Sequence, residues 1–190
     1  MNKSDMTKPP IDVEDDINIT GSEQKTISPK IKFLTFILAN QQYGLEILKV
    51  IEIIGMLPVT RVPHSPGYIK GVINLRGRVI TVADLRCRFG LEPTKLTHET
   101  CIIVVQTNGL TMGIIVDQVA DVVDIEEASI EETPSFGSSI SAEYIAAIGK
   151  VRDRVILLPD IDRVLLRNEL DRKSTDQFAN VSVMEKCMVF

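Results

Sequence analysis

Catalysis needs a positioned acid, base, nucleophile, metal or cofactor cradle, and few residues of this chain could supply one. Of the two histidines, His64 sits between Pro63 and Pro66 and His98 in a polar stretch, and neither has the buried acidic neighbour that would orient a base. There is no Gly-x-Ser-x-Gly elbow. Gly71 and Gly77 follow neither glycine fingerprint, and Gly149-Lys150 lacks the upstream glycine and the following Ser or Thr of a phosphate loop. Cys87, Cys101 and Cys187 form no Cys-x-x-Cys and are odd in number, which points to neither a zinc site nor a disulfide framework and makes the cytosol the natural home. The carboxylate pairs Glu126/Glu127 and Glu131/Glu132 read as solvated charge. The expectation is a binding module with no catalytic residue, metal or cofactor.

The charges that stand out are arginines. Arg76 lies beside Asn74 and Arg78 in the stretch Pro66 to Leu85, which is otherwise apolar enough to be core, so its guanidinium needs a carboxylate or carbonyls nearby. In Leu48 to Ile54 only Lys49 and Glu52 break a nearly continuous apolar run, and Glu52 needs a cation for the same reason. Arg76 is the candidate. Net charge is −5, yet the sign is unevenly spread. Residues 61–88 carry Arg61, Lys70, Arg76, Arg78, Arg86 and Arg88 against Asp84 alone, whereas 117–132 carry seven acids and no base. Such zones pair within the molecule or serve two partners.

The elements that hold these residues are mostly strands. Aromatics are 5% of the chain and Trp is absent, so the core is built from Val, Ile and Leu, which favours strands. Two Val/Ile-rich runs flank Arg76-Gly77 and read as a tight hairpin. The pattern returns 76 residues later: Tyr68, Ile69, Arg76, Arg78, Val79, Ile80 and Asp84 recur as Tyr144, Ile145, Arg152, Arg154, Val155, Ile156 and Asp160. A fainter echo, at a shift of 69, pairs Gly44, Leu45, Val50, Glu52, Ile53 and Ile54 with Gly113, Ile114, Val119, Asp121, Val122 and Val123. The chain thus reads as two copies of one small unit.

Residues 1–30 lack periodicity and read as a disordered arm. Strands are expected at Lys32 to Leu38, Tyr43 to Ile47 and, short, Val59 to Val62, and Leu48 to Ile54 fits either strand or helix. Asp84 is placed to cap a helix from Leu85 to Phe89 that stops at Gly90. Asn108-Gly109 joins strands Cys101 to Thr107 and Leu110 to Val116, and Asp117 to Ile125 continues as a strand. Glu126 to Ser141 reads as a long acidic loop carrying Phe136. A second hairpin follows with Asp153-Arg154 at its tip, then a helix from Ile161 to Leu170 capped by Asp160, and a polar tail. No run approaches the roughly 20 apolar residues that span a bilayer, so direct membrane insertion is not expected.

Phe33-Leu-Thr-Phe, Tyr43-Gly-Leu-Glu-Ile-Leu-Lys-Val-Ile-Glu-Ile, Pro66-Gly-Tyr-Ile-Lys-Gly-Val-Ile-Asn-Leu-Arg-Gly and Gly113-Ile-Ile-Val-Asp-Gln-Val resemble the CheW-type chemotaxis coupling proteins over about residues 31–167. The resemblance implies an all-β fold of two intertwined five-stranded SH3-like barrels with short helices, one at the C-terminal end. It divides the chain into subdomains at about 31–95 and 99–166 that exchange strands, followed by a helix end and tail over 168–190. It further implies a non-enzymatic cytoplasmic adaptor, recruited to membrane-associated arrays, that links methyl-accepting chemotaxis proteins to the regulatory domain of the histidine kinase CheA. By motif, Val50, Glu52, Ile53 and Arg76 fall on the receptor-binding surface, and Val59, Thr60, Val62 and Phe136 on kinase or array contacts. Asp121 and Arg152 occupy in the second copy the places of Glu52 and Arg76 in the first. The rival reading from another class is a small β-barrel nucleic-acid-binding module using Arg76, Arg78, Arg86 and Arg88, against which stand the acidic total and the lack of stacking aromatics.

Overall fold

The computed structural model describes residues 28–132 and 143–166. Each repeat contributes five strands and a short helix: β1 Lys30–Leu38, β2 Gln41–Glu46, β3 Val50–Gly55, β4 Ile69–Leu75, β5 Arg78–Asp84 and α1 Leu85–Arg88 in the first. The second has β6 Cys101–Thr107, β7 Leu110–Val116, β8 Gln118–Glu126, β10 Ile145–Val151, β11 Arg154–Pro159 and α2 Ile161–Leu166, with one further strand, β9 Ile130–Glu132, between β8 and β10. The hairpins turn where local chemistry permits positive φ. Arg76-Gly77 has φ 53° and 84°, and Asn108-Gly109 has 45° and 80°. Ala39 and Asn40 turn β1 into β2 in the same way, at 48° and 63°. In the second repeat the tip is Arg152-Asp153, one residue before the expected Asp153-Arg154.

The strands assemble into two barrels, each borrowing a hairpin from the other repeat. One sheet runs β8-β1-β2-β11-β10-β9 and the other β3-β6-β7-β5-β4. Hence β1 and β2 of the first repeat lie among strands of the second, while β6 and β7 lie among strands of the first. This exchange explains why those hairpins are apolar on both faces. On β6, Ile102 and Val104 line the five-stranded barrel with Ile73, Ile80, Val82 and Ile115. Alternate residues Ile103 and Val105 face a third core, shared between the barrels, with Phe36, Tyr43, Leu85, Phe89, Tyr144 and Val164. Phe33 on β1 fills the other barrel beside Ile125, Ile156 and Leu158. Gly44 and Gly113, the repeat-equivalent glycines, occupy equivalent close approaches: a Cβ on Gly44 would lie 2.8 Å from Leu158, and one on Gly113 2.8 Å from Ile102.

Two expected elements change character in the fold. The expected loop from Glu126 onward begins with a 3₁₀ turn at Glu127–Ser129 and then forms β9, which pairs with β10, so one sheet has six strands. The expected strand Val59 to Val62 shrinks to one bridge, Thr60 with Val72. Pro58 and Pro63 lack the N–H a longer ladder needs. The two departures share a position, because Thr60 against Val72 matches Glu131 against Ile148 under the repeat. Both helices obey one rule: the N–H of Asp84 donates to the Tyr68 carbonyl at 2.7 Å, and that of Asp160 to Tyr144 at 2.9 Å. The Asp84 carboxylate then accepts from Cys87 N–H at 3.2 Å, and Asp160 from Asp162 N–H at 3.0 Å. α1 ends at Arg88, one residue short of expectation, with Gly90 at φ 68°. The remainder of the expected helix to Leu170 lies outside the described residues.

Candidate functional site

The ambiguous run after Leu48 is settled as an edge strand. β3 ends the five-stranded sheet and pairs only with β6. Its side chains alternate, with Val50, Glu52 and Ile54 half-buried and Ile51 and Ile53 outward. Leu48 just before it is 91% exposed, and Ile51 and Ile53 are 49% and 45% exposed. A row of exposed aliphatic side chains on an unpaired edge is unusual for a free surface and suits a protein contact.

Arg76 reaches this strand from the opposite end of the sheet. Its Nη2 lies 2.7 Å from Glu52 Oε2, joining the β4–β5 tip to β3. The tip itself is fixed, because Gly77 N–H donates to Asn74 Oδ1 at 2.8 Å. The Arg76 side chain is 78% exposed and that of Glu52 22%. A pair so open to water contributes about 0–1 kcal/mol to stability, which leaves the guanidinium available to a second acceptor. The structure thus brings Glu52 and Arg76 together beside Ile53. Val50 packs partly against the shared core and Ile51 shows more surface than it does. The period-two alternation that would have picked out Ile51 over Val50 is masked in the sequence because the apolar residues of this run fall in adjacent pairs, Val50-Ile51 and Ile53-Ile54, on either side of Glu52.

The equivalent pair does not form in the second repeat. Asp121 is engaged by Thr35, whose hydroxyl donates to its carbonyl at 2.9 Å, and its carboxylate stands 4.0 Å from Arg154 rather than meeting Arg152. The residues expected at the second surface lie along β4. Thr60 exchanges two backbone hydrogen bonds of 2.8 Å with Val72, Val59 packs against the core of that barrel, and Val62 is exposed. Gly71 makes this approach possible: at φ 145° it lets the Thr60 carbonyl sit 2.1 Å from where a Cβ would be. Phe136 lies outside the described residues.

Most of the remaining charge is spent within the molecule. Lys30 and Lys32 on β1 face Glu126 and Asp124 on β8 at 3.6 and 2.8 Å, and Lys150 meets Glu131 at 2.6 Å. The acidic run is therefore laddered by lysines across strands. Arg86 grips Asp117 through Nε at 2.6 Å, and that hydrogen bond holds its pKa up despite partial burial. Arg88 is buried, its Nε donating to the Val164 carbonyl at 2.6 Å. Of the four arginines of the nucleic-acid reading, Arg88 is thus buried and Arg86 is held by Asp117, and Arg76 and Arg78 alone do not make a basic track. Lys49 Nζ donates to Asp162 at 2.8 Å, and the Thr107 hydroxyl also donates to that carboxylate. The Lys49 hydrogen bond, then that from Thr107, holds the Asp162 carboxyl below its ordinary range. Burial pushes the Cys101 thiol up, more than the Val119 backbone lowers it, so it is a poor nucleophile. Among the described residues no group of His, Cys, Asp and Glu could hold a metal ion, and no helix is long and apolar enough to cross a membrane.

Two barrels that exchange hairpins, with a paired Glu and Arg beside an aliphatic edge strand, match the family model described as the CheW-like domain over residues 32–169. The chain belongs to the CheW family. It is 37% identical to the chemotaxis protein CheW of Klebsiella aerogenes over 139 residues, 73% of this chain and 84% of that protein. With the CheW of Bacillus subtilis it shares 34% over 146 residues, 77% of this chain and 94% of that one. Among solved structures it superposes on the scaffolding protein TtCheW of Thermoanaerobacter tengcongensis with a TM-score of 0.69 at 34% identity, covering 74% of this chain and 95% of that one. The CheW-like region leaves the N-terminal residues before 32 and those after 169 outside the match.

Proposed function

We propose that this chain is a non-catalytic adaptor that joins methyl-accepting chemoreceptors to the regulatory domain of the histidine kinase CheA, in the cytoplasm at membrane-associated chemosensory arrays. The observation that carries the reading is the edge strand β3, where exposed Leu48, Ile51 and Ile53 flank half-buried Glu52, whose partner Arg76 is open to solvent, on a CheW-family scaffold. Receptor helices dock there, with aliphatic contact supplying area and Arg76 supplying direction. The kinase takes a different face, formed by Val59, Thr60 and Val62 along β4, with Phe136 in a ring contact. Because β3 and β4 are the two edge strands of one sheet, both partners are held by the same barrel. Each contact is of the modest size, below about 1,200 Å², typical of transient signalling interfaces, and the array multiplies it through effective concentration.

The test is co-sedimentation of the purified chain with receptor cytoplasmic fragments and CheA. Both partners are expected in one pellet only when the chain is present, and Arg76→Ala is expected to lose the receptor while retaining the kinase. Failure of the intact chain to retain either partner overturns the reading.

A further inference from the structure

In the core shared by the two barrels, residues can lie beside their own repeat equivalents. Arg88 is such a residue. Its Nε donates to the carbonyl of Val164, which follows it at the 76-residue offset that relates Tyr68 to Tyr144. Its guanidinium lies over both of those tyrosines, 4.1 Å from the Tyr68 ring centroid and 4.9 Å from that of Tyr144. Arginine at both equivalent positions would bring two cations together in the largest core of the molecule. The chain avoids this by placing the cation in one copy and a valine, accepting through its backbone, in the other.

A buried cation in an apolar core is rarely the most stable choice, since apolar packing of similar volume is often neutral or better. What it supplies is direction. Aliphatic side chains tolerate sliding and rotation, whereas a planar guanidinium held between two rings and a carbonyl has one geometry. Its neighbour Phe89 extends the same device, stacking on Tyr144 at 5.9 Å and on Tyr43 of the exchanged hairpin at 5.5 Å. We infer that Arg88 is a positioning residue that fixes how the two barrels are oriented, and through that orientation couples the receptor face to the kinase face. The inference rests on the adaptor reading for its second half only.

The test uses the full chain carrying Arg88→Met, which keeps length and removes the cation, with Arg88→Lys, which keeps charge and removes the planar fork. Three readouts are compared: amide exchange in each barrel, residual dipolar couplings that report barrel orientation, and partner assays with receptor fragment and CheA. Both variants are expected to retain amide protection and to bind receptor alone and CheA alone as the parent does. Their dipolar couplings are expected to depart from the parent orientation, and receptor control of the kinase in the three-component mixture to fall roughly fivefold or more. Parental orientation in Arg88→Met, or loss of single-partner binding together with amide protection, overturns the inference. If the parent chain itself fails to couple, the adaptor reading falls, and the dipolar couplings still decide the role of Arg88 in orientation.

Discussion

Arg76 and Glu52 show how exposure separates a binding role from a structural one. A fully buried ion pair broken on one side costs about 3–5 kcal/mol, but this pair has its guanidinium in solvent and is worth about 1 kcal/mol at most. Glu52→Ala and Arg76→Ala are each expected to shift stability by no more than about 1 kcal/mol in thermal melts while receptor capture falls. A variant that melts early and binds normally makes the pair structural. Gly71→Ala should behave in the opposite way. The added Cβ meets the Thr60 carbonyl at 2.1 Å at a φ of 145°, so the substitution is expected to cost roughly 1–3 kcal/mol and to peel the Thr60 segment from β4, impairing kinase binding more than receptor binding. Asp162 supplies a pH test. Its carboxyl is held below the ordinary 3.8 by Lys49 and Thr107, so the stability it provides is present above that pH and is lost as pH falls through the lowered folded value. Asp162→Asn is expected to be about 1 kcal/mol less stable at neutral pH, with the gap to the parent closing below 3.8. A gap that persists in acid shows that shape, not charge, is what Asp162 contributes.

At the scale of elements, the turns were the most legible part of the chain. Asn108-Gly109 and Arg76-Gly77 each place a residue tolerant of positive φ where the backbone turns, and both hairpins form as read. The caps were equally plain, Asp84 and Asp160 each standing before a short helix and binding its first amides. The turn at Ala39 and Asn40 carries no glycine, and β2 begins at Gln41, two residues before the expected Tyr43. What the residues hid was pairing. β9 sits in a stretch dominated by Glu, which has little strand preference of its own, and exists because β10 offers it an edge that Lys150 holds through Glu131. The acidic zone likewise showed no partner in its own run, because Lys30 and Lys32 come from a strand more than 90 residues earlier. Long-range register of this kind leaves no mark within a local window. The candidate site was half visible: Glu52 and Arg76 read as charges that each needed the other, while Ile51 is hidden in an apolar run broken only by Lys49 and Glu52.

For the molecule as a whole, the exchange of hairpins makes the two repeats one folding unit. β3 has only β6 as a neighbour, and β5 lies between β4 and β7, so the first repeat without the second loses the centre of its sheet. The intact chain is expected to melt in one cooperative transition, and a fragment ending at residue 98 to show none in calorimetry. A fragment that melts cooperatively would mean each repeat closes its own barrel. Three cores support the same conclusion, since the largest is built from residues of both repeats.

Under the proposed adaptor role, control passes from receptor to kinase through this chain alone. The most direct measurement is CheA autophosphorylation in the presence of receptor fragments, with ligand added and removed, with and without the purified chain. Kinase activity is expected to follow receptor ligand state only when the chain is present. A kinase that follows the receptor equally well without it, or ignores the receptor while the chain holds both partners, would contradict the account.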